Sequence, residues 1–406
     1  MSAITTRGWC PSLFAPMPAG DGWLARIRPP RATLSSHAAK ALAEASTRFG
    51  NGVISVTNRG NLQVRGLAPG SIADFADAVV AAGLADADPV TERRRAVIFP
   101  PLADDEVAAV AIAIEELLSR DARLAALPEK FCIAIDAAEI LPLGDTGADL
   151  TVICAGRTRH ILPRGSALAI EVPHNEIVDA VLRLILTFLE LAPRCTPPAR
   201  RMVGLISAIG AGTLFAAAGL AAAVPATLAV PMRTVGWLAC STRPLGPFSI
   251  GLPFGTITAA TLLSVVDEAR QYGNATLHTT PWRALLLPAI AQRDVPALQV
   301  VGKRLDLIVD SADPRRAIFA CTGRPGCAAA SVDLRTDVAL LLPLAMAGPV
   351  HLSGCAKGCA LPHAAPITLV GDGGRYGIVR NGRARDAPTL RGLTMEQVIT
   401  VLKAET

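Results

Sequence analysis

An α+β fold built by internal duplication is what this sequence predicts, and three observations carry it. Residues 1–70 recur weakly at an offset of 223 positions. Each copy reads as strand, helix, turn and strand, and each is followed by a longer stretch of helical and strand-like runs. An array of four closely spaced cysteines stands in the second half alone, so the duplication is expected to divide labour.

The first copy opens on an extended run ending at Pro30, and the second on one ending at Pro253. Ile27, Pro30 and Thr33 fall on Ile250, Pro253 and Thr256; Gly50, Asn51, Thr57 and Leu62 fall on Gly273, Asn274, Thr280 and Leu285; Phe49 falls on Tyr272. Helix-like stretches over 34–49 and 257–272 follow, each stopped by a Gly-Asn turn. Alternation and β-branching then predict strands over 53–56 and 276–279. Beyond the first copy come a helical run over 107–118 and short apolar strands over 131–135 and 150–154. Beyond the second come apolar runs over 305–309 and 338–342 and the cysteine-bearing segment. A Pro-rich stretch, 192–198, separates the halves.

Composition narrows the function. With 406 residues the chain has length for roughly two to four domains. A formal charge of +5 and 4% aromatic residues argue against stacking recognition of nucleic acid and suit an anionic small molecule better. No apolar leader is expected near the start, where Arg7, Asp21 and several prolines intervene, so the cytoplasm is the expected location. Residues 202–231 are uncharged and long enough to span a bilayer. Their bulk is Ala and Gly and Pro225 interrupts them, so a buried helix or interdomain connector is expected and no membrane.

Cys321 and Cys327 form C-x5-C, and Cys355 and Cys359 form C-x3-C. Both pairs sit among small residues and turn formers, which let backbone N–H groups approach sulfur. A [4Fe–4S] cube takes one thiolate per iron, and this array suits it. An all-thiolate zinc site is the competitor, although structural zinc favours C-x2-C or C-x4-C knuckles. Disulfides are the other alternative; the total of nine cysteines is odd and suits a reducing compartment.

The first half supplies basic residues. Arg26 and Arg28 alternate on a predicted strand and share a face. Arg59 and Arg65 flank a strand over 62–64, and Arg93, Arg94 and Arg95 precede the apolar run 97–99. Guanidinium forks capture carboxylates bidentately, so several near strand ends make a pocket for a polycarboxylate; solvated surface arginines are the plain alternative. Lys130 carries no signal of its own. His351 and His363 bracket the second cysteine pair and suit packing, a proton shuttle or a mononuclear metal, while His278 and His37 read as structural or surface. The Gly210 and Gly212 fragment is a poor dinucleotide loop, with Phe215 where a small residue belongs.

These residues together resemble the nitrite and sulfite reductase hemoprotein superfamily, whose members are duplicated chains with a C-x5-C and C-x3-C cluster motif in the second half. Arg26 to Arg28 before Pro30 is similar to its first anion-binding strand, and Thr57, Asn58 and Arg59 through Gln63 to its tetrapyrrole signature. Arg95 and Lys130 fall where that superfamily keeps further anion-binding residues. The run Arg7 to Pro11, Gly20 to Gly22 and Thr280 to Arg283 resemble its precorrin-3B synthase branch, and Cys132 stands where sulfite reductases keep a second lysine.

The resemblance implies a fold of two ferredoxin-like half-repeats, 1–70 and 231–298, and two α/β domains, 71–195 for substrate and 299–406 for the cluster, with 196–230 as connector. It implies C20 hydroxylation of precorrin-3A with dioxygen and closure of a γ-lactone. Arg28, Arg59, Arg65, Arg95 and Lys130 would bind the macrocycle's carboxylates, and Cys321, Cys327, Cys355 and Cys359 would hold a [4Fe–4S] cluster fed by an external electron donor. A separate mononuclear iron stays open, and siroheme is not expected. A siroheme-dependent sulfite or nitrite reductase and a noncatalytic iron–sulfur sensor are the alternatives.

Overall fold

The computed structural model describes residues 10–137, 141–155, 158–221, 223–229, 235–239, 244–344, 346, 348–361 and 363–405. Arg7, Gly8, Trp9 and Cys240 lie outside the described residues. Four sheets organise the chain, two in the repeated units and two in the regions that follow them.

The two copies share their local grammar. Ser35 Oγ accepts from Ala38 N at 3.1 Å to start helix Ser36–Phe49, and Thr258 Oγ1 accepts from Thr261 N at 3.1 Å to start helix Ala259–Tyr272. Asn51 and Asn274 then accept from the N–H two residues on, turning the chain into strands Val53–Val56 and Thr276–Thr279. Left-handed backbone recurs at matched positions: Arg31 (φ 55°) with Phe254 (56°), Gly52 (71°) with Ala275 (61°), and Gly60 (72°) with Arg283 (61°). The backbone has kept the duplication better than the side chains have.

Each copy also lends the other a strand. Thr33–Ser35 pairs antiparallel with 276–278 of the second copy, and Thr256–Thr258 with 53–55 of the first. The sheet orders are therefore Met17–Ala19, Gly22–Ile27, Leu62–Leu67, Val53–Val56, Thr256–Thr258, and Gly236–Trp237, Leu245–Gly251, Ala284–Ala291, Thr276–Thr279, Thr33–Ser35. The two helices pack on each other inside one core, where Ile27, Leu42, Ile54 and Val64 meet Leu262, Val266, Leu277 and Leu285. Each such fully buried aliphatic contributes about 1.5–3 kcal/mol.

The region after the first copy forms a six-stranded sheet, parallel from Val97–Ile98 through Ile133–Asp136 to Leu150–Ala155 and antiparallel onward. Helices Asp105–Arg120 and Ile177–Leu191 cover it. The stretch expected as a connector is part of this domain. Helices Met202–Ile209 and Ala211–Ala217 bury Met202, Leu205, Leu214 and Phe215 in its core, and Ala223–Pro225 joins its sheet. Among the described residues no helix is long and apolar enough to cross a membrane. The second sheet repeats the pattern: Ile318–Ala320, Val350–Ser353 and Ala365–Asp372 run parallel, and Arg375–Gly382 returns antiparallel. The 338–342 run lies mostly in helix Leu334–Leu341, and of the 305–309 run Ile308 makes one bridge to Gly251.

Candidate functional site

Parallel pairing of Ile318–Ala320 with Val350–Ser353, in register Ala320 to Leu352, sets two strand ends side by side. Cys321 leaves one and Cys355 the other. Cys321 N–H donates to the Leu352 carbonyl at 3.2 Å, Cys327 N–H to Gly323 at 2.8 Å, and Ser331 N–H to Gly354 at 3.0 Å, which zips the two cysteine loops together. Gly354 N–H donates to Cys321 Sγ at 3.3 Å. A Cβ added to Gly354 would lie 2.6 Å from Ala330 Cβ and 3.7 Å from Cys321 Sγ, so the approach of backbone to sulfur requires glycine.

All four thiols line one cavity of about 570 Å³. Burial pushes the Cys321 thiol up, and burial together with Cys321, Cys355 and Cys327 pushes Cys359 up to about 11. Among the described residues no three His, Cys, Asp or Glu side chains gather as a single metal ion requires. Four thiolates on one zinc, at a Zn–S distance of about 2.3 Å, would stand roughly 4 Å apart. A cube spreads its thiolates over four irons. Four thiols around one cavity, small neighbours and an N–H aimed at sulfur fit the cluster better than a single ion.

Arg26, Arg65 and Lys130 line the same cavity from the first half. A second cavity, again about 570 Å³, adjoins it across Asn58, Phe254, Gly255, Arg283 and Ala360. Its walls are unusually basic: Arg59, Arg164, Arg201, Arg283, Arg315, Arg316 and Arg383, with His363 and Trp282. Arg201 is bound to Asp149 at 2.8 Å and Arg315 to Asp313 and Asp306 at 2.6 Å. Trp282 Nε1 and Thr146 Oγ1 are buried on this cavity with no hydrogen-bond partner among the described residues.

The five basic residues singled out in the sequence divide. Lys130 lines the cysteine cavity and Arg59 the second one. Arg28 and Arg95 stand behind, around a gap of about 20 Å³ shared with Arg26, Arg59, Cys10 and Cys132. Arg28 donates to the Glu92 and Arg93 carbonyls at 2.8 Å, and Arg95 pairs with Glu92 at 2.8 Å and Glu115 at 3.3 Å. Burial pushes both carboxyls up and works against the charge of Arg26 and Arg28. Arg65 is bound to Asp21 at 3.0 Å and to the Gly326 carbonyl. Arg65 and Arg95 thus have carboxylate partners within the protein, and Arg28 has two backbone carbonyls.

Arg26 was recognisable on its strand but not singled out as a ligand. With the Gln63 amide oxygen turned toward it, Arg26 donates through Nε at 3.1 Å. Arg164, Arg201, Arg283, Arg315, Arg316 and Arg383 come from segments that no sequence spacing connects. One signal for Trp282 existed: it stands at the position equivalent to Arg59 across the duplication. His363 lines the second cavity, whereas His351 is fully buried with neither ring nitrogen partnered among the described residues, and burial followed by Arg283 lowers it to about 4.

Comparison with known proteins agrees with this architecture. The family model for the nitrite/sulfite reductase ferredoxin-like half domain matches residues 15–82 and again 248–299. A precorrin-3B synthase from Sinorhizobium sp is 32% identical over 402 residues, covering 95% of this chain and 85% of the relative. A ferredoxin–nitrite reductase from Synechococcus elongatus is 24% identical, covering 89% and 78%. A sulfite reductase [ferredoxin] from Mycolicibacterium paratuberculosis is 22% identical, covering 86% and 70%. The solved structure of the Mycobacterium tuberculosis NirA protein superposes with a TM-score of 0.69 at 20% identity, covering 93% of this chain and 78% of that one.

Proposed function

This chain belongs to the precorrin-3B synthase family, within the nitrite and sulfite reductase superfamily, and from that premise we propose that it is the oxidoreductase that hydroxylates C20 of precorrin-3A with dioxygen and closes the ring A acetate into a γ-lactone. One oxygen atom enters the macrocycle. The other leaves as water, which takes two electrons and two protons from an external donor and solvent. Lactone closure adds the carboxylic acid across a double bond of the macrocycle: its oxygen joins ring carbon, the π bond breaks and the proton passes to the macrocycle, so no further outside electrons are needed.

The observation that carries this proposal is the meeting of the four-thiol loop with two adjoining basic cavities in one cleft walled by both halves. Cys321, Cys327, Cys355 and Cys359 would hold a [4Fe–4S] cluster, which when bound passes electrons singly. Arg26 and Lys130 face the cluster side, while Arg59, Arg283 and Arg383 face the second cavity. A polycarboxylated macrocycle laid across the shared wall would meet cations on both sides. The Arg26 guanidinium, held where burial opposes its charge, gains from an anion, so carboxylate binding and orientation of the meso carbon go together.

Proposed companions are precorrin-3A, dioxygen and an external electron donor in the cytoplasm, with siroheme absent. Anaerobic purification, iron and sulfide analysis, a visible spectrum, and then addition of substrate and oxygen test this. Four irons and four sulfides per chain, no isobacteriochlorin absorption and conversion of precorrin-3A are expected. Iron in excess of the cluster would reveal a mononuclear site. Bound siroheme with sulfite or nitrite reduction would replace the proposal by the reductase alternative.

A further inference from the structure

We propose that Arg65 is a positioning residue for the cluster loop, an inference that rests on the cluster assignment above. Its Nε and one terminal nitrogen donate to the two Asp21 oxygens at 3.1 and 3.0 Å. That terminal nitrogen also donates to the carbonyl of Gly326, the residue before Cys327. Gly20 N–H donates to the same carbonyl at 3.3 Å, and Asn51 Nδ2 steadies Asp21 at 3.2 Å.

The fit is backbone against backbone. A Cβ on Gly20 would lie 2.5 Å from the Pro325 carbonyl oxygen and 3.0 Å from Ala328 N, and one on Gly326 would lie 2.7 Å from Thr322 Cγ2. The turn at 20–22 in the first half therefore grips 325–328 in the second, and Arg65 supplies its buried charged contact. Two effects follow. The grip fixes where Cys327 projects, as outer-shell hydrogen bonds fix metal ligands generally. A cation next to Cys327 also favours the reduced, more negative cluster, and the Asp21 carboxylate opposes it.

The test uses the full chain purified anaerobically. Iron and sulfide per chain, cluster loss to a chelator, midpoint potential by EPR-monitored titration, and the macrocycle Kd are compared among wild type, Arg65→Gln, Arg65→Lys and Asp21→Asn. Arg65→Gln is expected to lower cluster retention about ten-fold or more and to lower the potential. Arg65→Lys restores the potential by keeping the charge but leaves retention short by losing the fork. Asp21→Asn raises the potential. Macrocycle Kd in cluster-loaded samples stays unchanged. Wild-type retention and potential in Arg65→Gln with weakened macrocycle binding would make Arg65 a substrate clamp and overturn the proposal. If Arg65→Gln does not fold, a raised potential in Asp21→Asn beside a wild-type potential and lowered cluster retention in Arg65→Lys supports it, and wild-type potential and retention in both variants overturn it. Absence of iron and sulfide from wild type would be seen before any variant and would remove the cluster assignment itself.

Discussion

Trp282 and Arg59 occupy equivalent positions in the two copies and line the same cavity, one offering an indole face and a neutral donor, the other a charge. The indole N–H is buried without a partner among the described residues. Such a group costs about 1–3 kcal/mol in the free protein, and a ligand that accepts from it recovers that loss. Trp282→Phe should therefore leave the urea midpoint unchanged or raised while weakening tetrapyrrole binding about ten-fold, the value of one hydrogen bond to a carboxylate. An absorbance titration beside an unfolding curve checks both directions; unchanged binding would mean that the indole meets no ligand acceptor. At this scale the gathering of the four cysteines around one cavity was legible because they stand in two short local spacings. The pairing of Arg65 with Asp21 was not, since Asp21 lies 44 residues away. No sequence spacing announces that pairing.

Strand Val350–Ser353 is buried on both faces, as a central parallel strand is, yet it carries His351. Burial, then Arg283, lowers this imidazole to about 4, against about 6.5 in an unfolded chain. Between those values the unfolded chain binds the extra proton, so stability is complete above about pH 6.5 and is lost as the pH falls toward 4, by up to about 1.4 kcal/mol per pH unit for one proton. His278, also lowered to about 4 by burial, contributes with the same sign. Urea midpoints at pH 7 and pH 5 should differ less in His351→Leu than in wild type; equal differences would assign the acid sensitivity elsewhere. The long helix of each copy and the strand after it were legible through Gly-Asn turns and alternation, each a local property. The exchanged strands Thr33–Ser35 and Thr256–Thr258 were not, being three residues long with partners in the other copy. Three residues carry no readable period. Their sheet is chosen by the helix that follows each one and by the core beneath it.

That exchange makes the halves of the molecule interdependent. Without the second half, Val53–Val56 becomes an open edge strand, Thr33–Ser35 has no sheet to join, and helix Ser36–Phe49 loses the helix it packs against. Open edges and uncovered apolar faces favour aggregation. The cleft is divided in the same way: the cysteine cavity takes Arg26, Gln63 and Lys130 from one half and Phe254, Arg283 and the thiols from the other. Split after residue 229, the two fragments should each fail to unfold cooperatively when expressed alone. Co-expressed, they should copurify as a one-to-one complex with a single unfolding transition and regain iron. Circular dichroism, size exclusion and metal analysis of the three preparations decide it. A monomeric, cooperatively folded first fragment would show that the exchanged strand and the helix pair are dispensable, and that the two copies are separate folding units which merely meet at the cleft.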